Sequence, residues 1–313
     1  MDYLWICISL VVIMLASDKL VDAAASIALR LKVPKILVAL TIMSFGTCMP
    51  ELSISISSMA SGNGSIALAN VIGSCVINIV FVVGITCLIR PIKIKDNTIK
   101  SELPLLLLAT SVFAILLANR IFVDSPTKYL QRIDGILLLT IFIMFIVYLY
   151  RLSKKQNRER GKPKYNLIVS ILILIACLVA IYFTSQLLVN SAVNVAGAFG
   201  VTEKVITMVV IVIGTSLPEL IMTITAARKK EYEMAIGNIV GTNIFNICVV
   251  LGLPLAIFGQ LEIVGFNIID ILAILFATLL LYLFSKSEKE LSKAEGWIFI
   301  LLFIVYYFFV IVF

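Results

Sequence analysis

Apolar residues fill this chain in long blocks, separated by short polar segments. Runs of about 20 apolar residues match the length a helix needs to cross the hydrocarbon core of a bilayer. Ten such blocks can be drawn, over 3–27, 35–60, 66–89, 103–120, 134–151, 166–188, 201–227, 234–257, 267–285 and 295–312. They predict an all-α membrane protein of ten transmembrane helices. The longest polar stretch, 151–165, falls between the fifth and sixth blocks and reads as a linker between halves of five spans, 1–150 and 166–313. The first block opens Met1-Asp2-Tyr3-Leu4-Trp5 without a basic segment, so it is expected to remain as a helix rather than be cleaved as a signal.

The halves align without gaps at a shift of 168 residues. Ala16–Asp22 faces Thr184–Asn190, Ala69–Ser74 faces Gly237–Thr242, and Gly84 faces Gly252. Chance similarity among apolar helices would not keep Gly, Pro, Glu and Asn in step, so the chain reads as a duplication. Charge supplies the orientation. With the linker in the cytoplasm and the spans alternating, 20 of the 25 Lys and Arg residues lie on the cytoplasmic side and four on the outer side. That asymmetry is the positive-inside pattern. Both termini then lie outside. An odd number of spans per half makes the second an inverted copy of the first, an arrangement typical of secondary transporters.

Composition narrows the chemistry. Only 14% of residues are charged and 61% are apolar, far from the balance of a soluble domain. The net charge of +7 is explained by the cytoplasmic loops and does not call for nucleic acid. There is no histidine, which excludes His-based zinc sites, Ser-His-Asp hydrolysis and histidine proton relays. No enzyme constellation remains. The six cysteines are scattered through apolar blocks with no CxxC pair, as expected of reduced, buried thiols.

One pattern carries chemistry. Gly46-Thr47-Cys48-Met49-Pro50-Glu51 returns as Gly214-Thr215-Ser216-Leu217-Pro218-Glu219, and an Asn follows each Glu after 27 residues, at Asn78 and Asn246. The repeated motifs cover 44–79 and 212–247. A carboxylate inside a membrane span is costly and marks a functional site. The prolines remove a backbone donor and break the helix, and irregular backbone at that depth is tolerated where it lines a cavity. Carbonyls near Ser44–Thr47 and Val212–Thr215 can therefore point at an ion. Thr47 and Thr215 stand at i, i+4 before each Glu, Ser74 and Asn78 share one helix face, and Thr242 and Asn246 repeat this. Cys48 and Ser216 lie one position further round. Asp18, Asp22 and Asp270 read as helix-end or packed polar residues. The small-xxx-small segments 69–73 and 237–241 read as close helix contacts. Two carboxylates, hydroxyls, amide oxygens and carbonyls form a hard-oxygen set, suited to Ca²⁺ and Na⁺.

At these residues the chain resembles the cation/Ca²⁺ exchanger superfamily, and within it the prokaryotic sodium/calcium exchangers. The motifs GTCMPE and GTSLPE, with ANVIGSCVIN and GNIVGTNIFN, carry the resemblance. It implies a monomeric, multi-pass protein of the cell membrane that transports Ca²⁺ and Na⁺ without a cofactor, the first and sixth spans sliding as a gate. It also implies roles for residues. Glu51 and Glu219 would be the main Ca²⁺ ligands, with backbone oxygens of Thr47 and Thr215. Ser74 with Ser44 and Thr47 would frame one Na⁺ site, and Thr242 with Val212 and Thr215 its mirror image. Asn78 and Asn246 would line the middle. Archaeal members carry Asp where this chain has Asn246, and Ser where it has Cys48 and Thr242. The expected function is Na⁺/Ca²⁺ antiport by alternating access. H⁺-driven or K⁺-dependent exchange and a cation channel are the alternatives.

Overall fold

The computed structural model describes residues 1–121, 128–155, 162–199, 211–263, 266 and 268–312. Most of them are helical. In chain order the helices are α1 (Asp2–Leu31), α2 (Lys35–Thr47), α3 (Met49–Ala60), α4 (Gly64–Ile89), α5 (Thr98–Arg120), α6 (Arg132–Arg151), α7 (Leu167–Ala198), α8 (Val212–Thr215), α9 (Leu217–Arg228), α10 (Tyr232–Phe258), α11 (Ile268–Ser287) and α12 (Lys293–Val312). Among the described residues, seven helices are long and apolar enough to cross a membrane singly, and α2 with α3 forms an eighth, bent by 47°. Positions 201–210 of the seventh apolar block lie outside the described residues. Helix α5 begins five residues earlier than the hydropathy suggests, because 98–102 form a wide π turn leading into it.

Element boundaries recur at the shift of 168. Helices α3 and α9 are both 12 residues long, and each begins with a proline in its first turn. The residue ahead of each leaves helical geometry in the same way, Cys48 at φ −80°, ψ 4° and Ser216 at φ −85°, ψ −1°. Within α4 a π-helical stretch runs over Asn78–Val83, and within α10 another runs over Asn246–Leu251. Such wide turns are rare and concentrate at functional sites; here each opens on one of the two candidate asparagines.

Two apolar cores hold the helices. The larger joins α3–α6 and α10–α12, with Phe113, Phe145 and Phe299 fully buried. The smaller lies where α1 and α7 pack on each other and on α2 and α9. Beside larger residues such as Leu20, Met43 and Ile181, it is rich in alanine, with Ala16, Ala23, Ala24 and Ala28 on α1 and Ala226 and Ala227 on α9. Alanines let helix backbones approach closely. At one edge of this core Asp18 and Asp22 meet Lys229, at 2.8 and 2.7 Å, and Asp22 also meets Lys164 at 2.6 Å. The Asp22 carboxylate raises the Lys164 ammonium above its ordinary pKa. These aspartates are thus packed polar residues, as is Asp270, which accepts from the Tyr306 hydroxyl at 3.3 Å.

The helical architecture carries one addition. Short antiparallel strands pair the loops, β1 (Ile92–Lys93) with β4 (Glu290–Leu291) and β2 (Tyr129–Gln131) with β3 (Gln260–Glu262). Segments of two or three residues are too short to show an alternating pattern, so hydropathy cannot reveal them. Each pairing ties a loop of one half to a loop of the other.

Candidate cation-binding centre

The centre is built where the two bent segments meet. Pro50 has no amide hydrogen for the Gly46 carbonyl, so α2 ends at Thr47 and α3 restarts at Met49. The last regular bond before the break runs from Cys48 N to Ser44 O at 3.1 Å, and the next from Leu52 N to Cys48 O at 2.9 Å. Ser216 N to Val212 O at 3.2 Å and Leu220 N to Ser216 O at 3.1 Å repeat the pattern. Glu51 and Glu219 are each the third residue of the restarted helix and only 1% exposed. The partial positive charge of a helix N-terminus favours a carboxylate there.

The two breaks face each other. The Glu51 carboxylate faces the Thr215 side chain and the Glu219 carboxylate faces the Thr47 side chain, although the two hydroxyls donate to Val212 O and Ser44 O. The i, i+4 spacing associates Thr47 with Glu51 on one helix face, but the bend at Cys48 interrupts the helix between them. Partners are therefore exchanged across the centre.

The same exchange regroups the outlying residues. Helix α2 packs on α10, not on α4 of its own half. A Cβ on Gly241 would lie 2.8 Å from Leu40 Cα and would collide with the Ser44 hydroxyl. A Cβ on Gly237 would lie 2.9 Å from Ala39 Cβ. The Ser44 hydroxyl donates to Ala39 O at 2.7 Å and reaches Asn238 O at 3.4 Å. In the mirror position, a Cβ on Gly73 would lie 2.7 Å from Val212 Cγ1. Ser44 and Thr47 thus belong with the Thr242 helix, and Val212 and Thr215 with the Ser74 helix. The within-half grouping suggested by resemblance is corrected by these contacts. The Ser44 carbonyl already accepts from Cys48 N and the Thr47 hydroxyl, and the Val212 carbonyl from Ser216 N and the Thr215 hydroxyl. In this arrangement both carbonyls have their lone pairs engaged.

The asparagines complete the centre. Asn78 donates through Nδ2 to Asn243 Oδ1 at 3.0 Å, with Thr242 Oγ1 at 3.5 Å. Asn243 donates in turn to Cys75 O at 3.1 Å. Asn243 escapes the motif reading because its partner at the shift of 168 is a cysteine, so no polar pair recurs. Asn70 holds the α3 end of the break, donating to Glu51 O at 3.2 Å, while Asn238 donates to Thr223 at 3.2 Å. Cys48 Sγ rests 3.8 Å from Thr242 O.

What remains is a set of buried oxygens without hydrogen-bond partners. It comprises Oε2 of Glu51, both carboxylate oxygens of Glu219, the hydroxyls of Ser74 and Ser216, and Oδ1 of Asn78 and Asn246. Buried polar atoms are nearly always paired, and an unpaired buried carboxylate costs several kcal/mol. Carboxylate, amide and hydroxyl oxygens left without partners can turn lone pairs to a cation. Among the described residues no three His, Cys, Asp or Glu side chains form a metal-holding group. An ion here would be held by two carboxylates and neutral oxygens, the donor set of a hard cation.

Comparison with known proteins agrees with this chemistry. Residues 1–151 and 169–312 match the family described as sodium/calcium exchanger protein. The chain is 32% identical to CaxA of Alkalimonas amylolytica, covering 97% of this chain and 96% of that protein. It is 26% identical to the sodium/calcium exchanger MaX1 of Methanosarcina acetivorans, covering 97% of each. The solved structure of the sodium-calcium exchanger NCX_Mj soaked with 10 mM Na⁺ and zero Ca²⁺ superposes with a TM-score of 0.82 at 28% identity, covering 97% of both chains.

Proposed function

The chain belongs to the sodium/calcium exchanger protein family, and on that premise we propose that it is a secondary antiporter in which Na⁺ entry drives Ca²⁺ extrusion by alternating access. The observation that carries the proposal is the pair of buried carboxylates, Glu51 and Glu219, with three of their four oxygens unpartnered and threonines facing them across two helix breaks. In this reading Glu51 and Glu219 bind Ca²⁺ and share Na⁺. Thr47, Thr215, Ser74, Thr242, Asn78 and Asn246 complete the shell, and Ser44 and Val212 contribute through backbone oxygen once the helix breaks rearrange. The ten spans form two inverted five-helix repeats in one monomer. Helices α1 and α7 slide against the repeat core as the gate.

With Asn at both 78 and 246, the centre carries a charge of about −2 when both glutamates are ionised. Exchange of three Na⁺ for one Ca²⁺ then moves one net charge per cycle. Each charge couples to about 2.3 kcal/mol per 100 mV of membrane potential. Ca²⁺ uptake into Na⁺-loaded proteoliposomes should therefore accelerate under an inside-positive potential that assists Na⁺ exit. Parallel runs with Na⁺, K⁺ and H⁺ gradients identify the driving ion. Voltage-independent flux contradicts three-for-one exchange, and uptake driven by a proton gradient alone refutes Na⁺ coupling.

The charge asymmetry of the loops supports a cytoplasmic 151–165 linker and external termini. In a cysteine-free background, an impermeant thiol reagent applied to intact cells should label Lys128→Cys and leave Lys155→Cys unlabelled. The reverse pattern inverts the topology.

A further inference from the structure

We infer that Asn243 is a positioning residue for cation binding, holding the Asn78 amide with its oxygen left unpartnered for the ion. The inference rests on the reading of Asn78 as a cation ligand. It starts from an atom with no choice. Cys75 O is a backbone carbonyl and can only accept. Asn243 lies 3.1 Å from it and must present its NH₂ group there. Its Oδ1 is thereby turned the other way, toward Asn78, at 3.0 Å from Asn78 Nδ2. Asn78 must then present its own NH₂ on that side, because two amide oxygens at this distance would repel. Thr242 Oγ1 reinforces the choice: its proton goes to Asn238 O at 2.8 Å, so it faces Asn78 as an acceptor at 3.5 Å. The result is that Asn78 Oδ1 is buried, unpartnered and free for a cation.

An unrestrained amide is ambivalent at such a place. A half-turn about its last torsion swaps an oxygen for an NH₂ group, which repels a cation. A buried relay from Cys75 O through Asn243 to Asn78 removes that freedom before the ion arrives, so less binding energy is spent on ordering. The relay also crosses between the halves, since Cys75 and Asn78 lie on α4 and Asn243 on α10. It is one-sided: the residue that matches Asn243 in the first half is Cys75, which has no amide with which to hold Asn246 in the same way.

The test is a double-mutant cycle in proteoliposomes, reading the half-saturating Ca²⁺ concentration and the maximal rate of Na⁺-driven uptake. Asn78→Ala and Asn243→Ala should each raise the half-saturating Ca²⁺ roughly ten-fold, the scale of one lost interaction with a charged partner. Maximal rates should change far less. The double variant should bind no more weakly than Asn78→Ala alone, because Asn243 has nothing left to position. A double variant showing the product of the two single losses would make Asn243 an independent structural element and overturn the inference, as would an unchanged half-saturation in Asn243→Ala. Unchanged half-saturation in Asn78→Ala would remove Asn78 from the ligand set, and the inference with it. If Asn243→Ala does not give dispersed protein, Asn243→Ser, which keeps a polar group at the site, is read in the same cycle.

Discussion

Glu51→Gln and Glu219→Gln should each abolish Na⁺-driven Ca²⁺ uptake, by a factor of about 100 or more, while the purified protein stays dispersed. Each change removes half the negative charge at the centre and turns a carboxylate oxygen into an NH₂ group that repels the ion. Stability should move the other way. Both carboxylates are 1% exposed and three of their four oxygens lack partners, so the ion-free protein bears the cost of two poorly compensated buried groups. A glutamine removes one charge, and the melting temperature without Ca²⁺ should hold or rise. The parent should gain about 2.7 kcal/mol of stability at Ca²⁺ a hundred-fold above its dissociation constant, and the variants almost none. Thermal melts with and without Ca²⁺ read both effects. A Gln variant that transports like the parent, or is stabilised by Ca²⁺ as strongly, would remove the carboxylates from the site.

Gly241→Leu should be comparably severe for a different reason. Its Cβ alone would sit 2.8 Å from Leu40 Cα and 3.0 Å from Leu40 O, atoms of backbone that cannot swing aside. Forcing side chains into a packed contact costs about 1–3 kcal/mol even where neighbours relax. Here relaxation would push α2 off α10 and carry Ser44 and Thr47 out of the centre. The expected outcome is loss of uptake together with a lowered melting temperature. Gly197→Ala is the control: its Cβ meets nothing within 4 Å, and uptake should be unchanged. Parental transport by Gly241→Leu would mean that the α2–α10 contact does not shape the centre.

The parts of this molecule that could be read from sequence are those with local signatures. Pro50 and Pro218 announce the helix breaks, because a missing amide has the same consequence wherever it falls in a helix. Glu51 and Glu219 stand out because carboxylates are rare at that depth, and Gly237 and Gly241 because small residues four apart mark a close contact. The parts that could not be read depend on which helix a segment meets. Nothing near Ser44 says that α2 lies against α10, and nothing near Glu51 says that its threonine partner is Thr215. Asn243 stayed hidden because its role comes from Cys75 O and Asn78, both on another helix. The loop strands were hidden by their brevity.

The exchange of α2 and α8 between the halves also governs how the molecule is made. When the first half has entered the membrane, Glu51 is in place, but Thr215, Glu219 and the glycine-lined face of α10 have not been synthesised. Gly241 follows Glu51 by 190 residues. At ordinary synthesis rates that is a wait of roughly 10–40 seconds. Throughout it an acidic side chain and the unpacked flank of α2 sit among lipid or beside the insertion machinery. The newborn first half is therefore a client in need of shelter, most simply as a protonated carboxylic acid, and it becomes a finished structure only when the second half arrives.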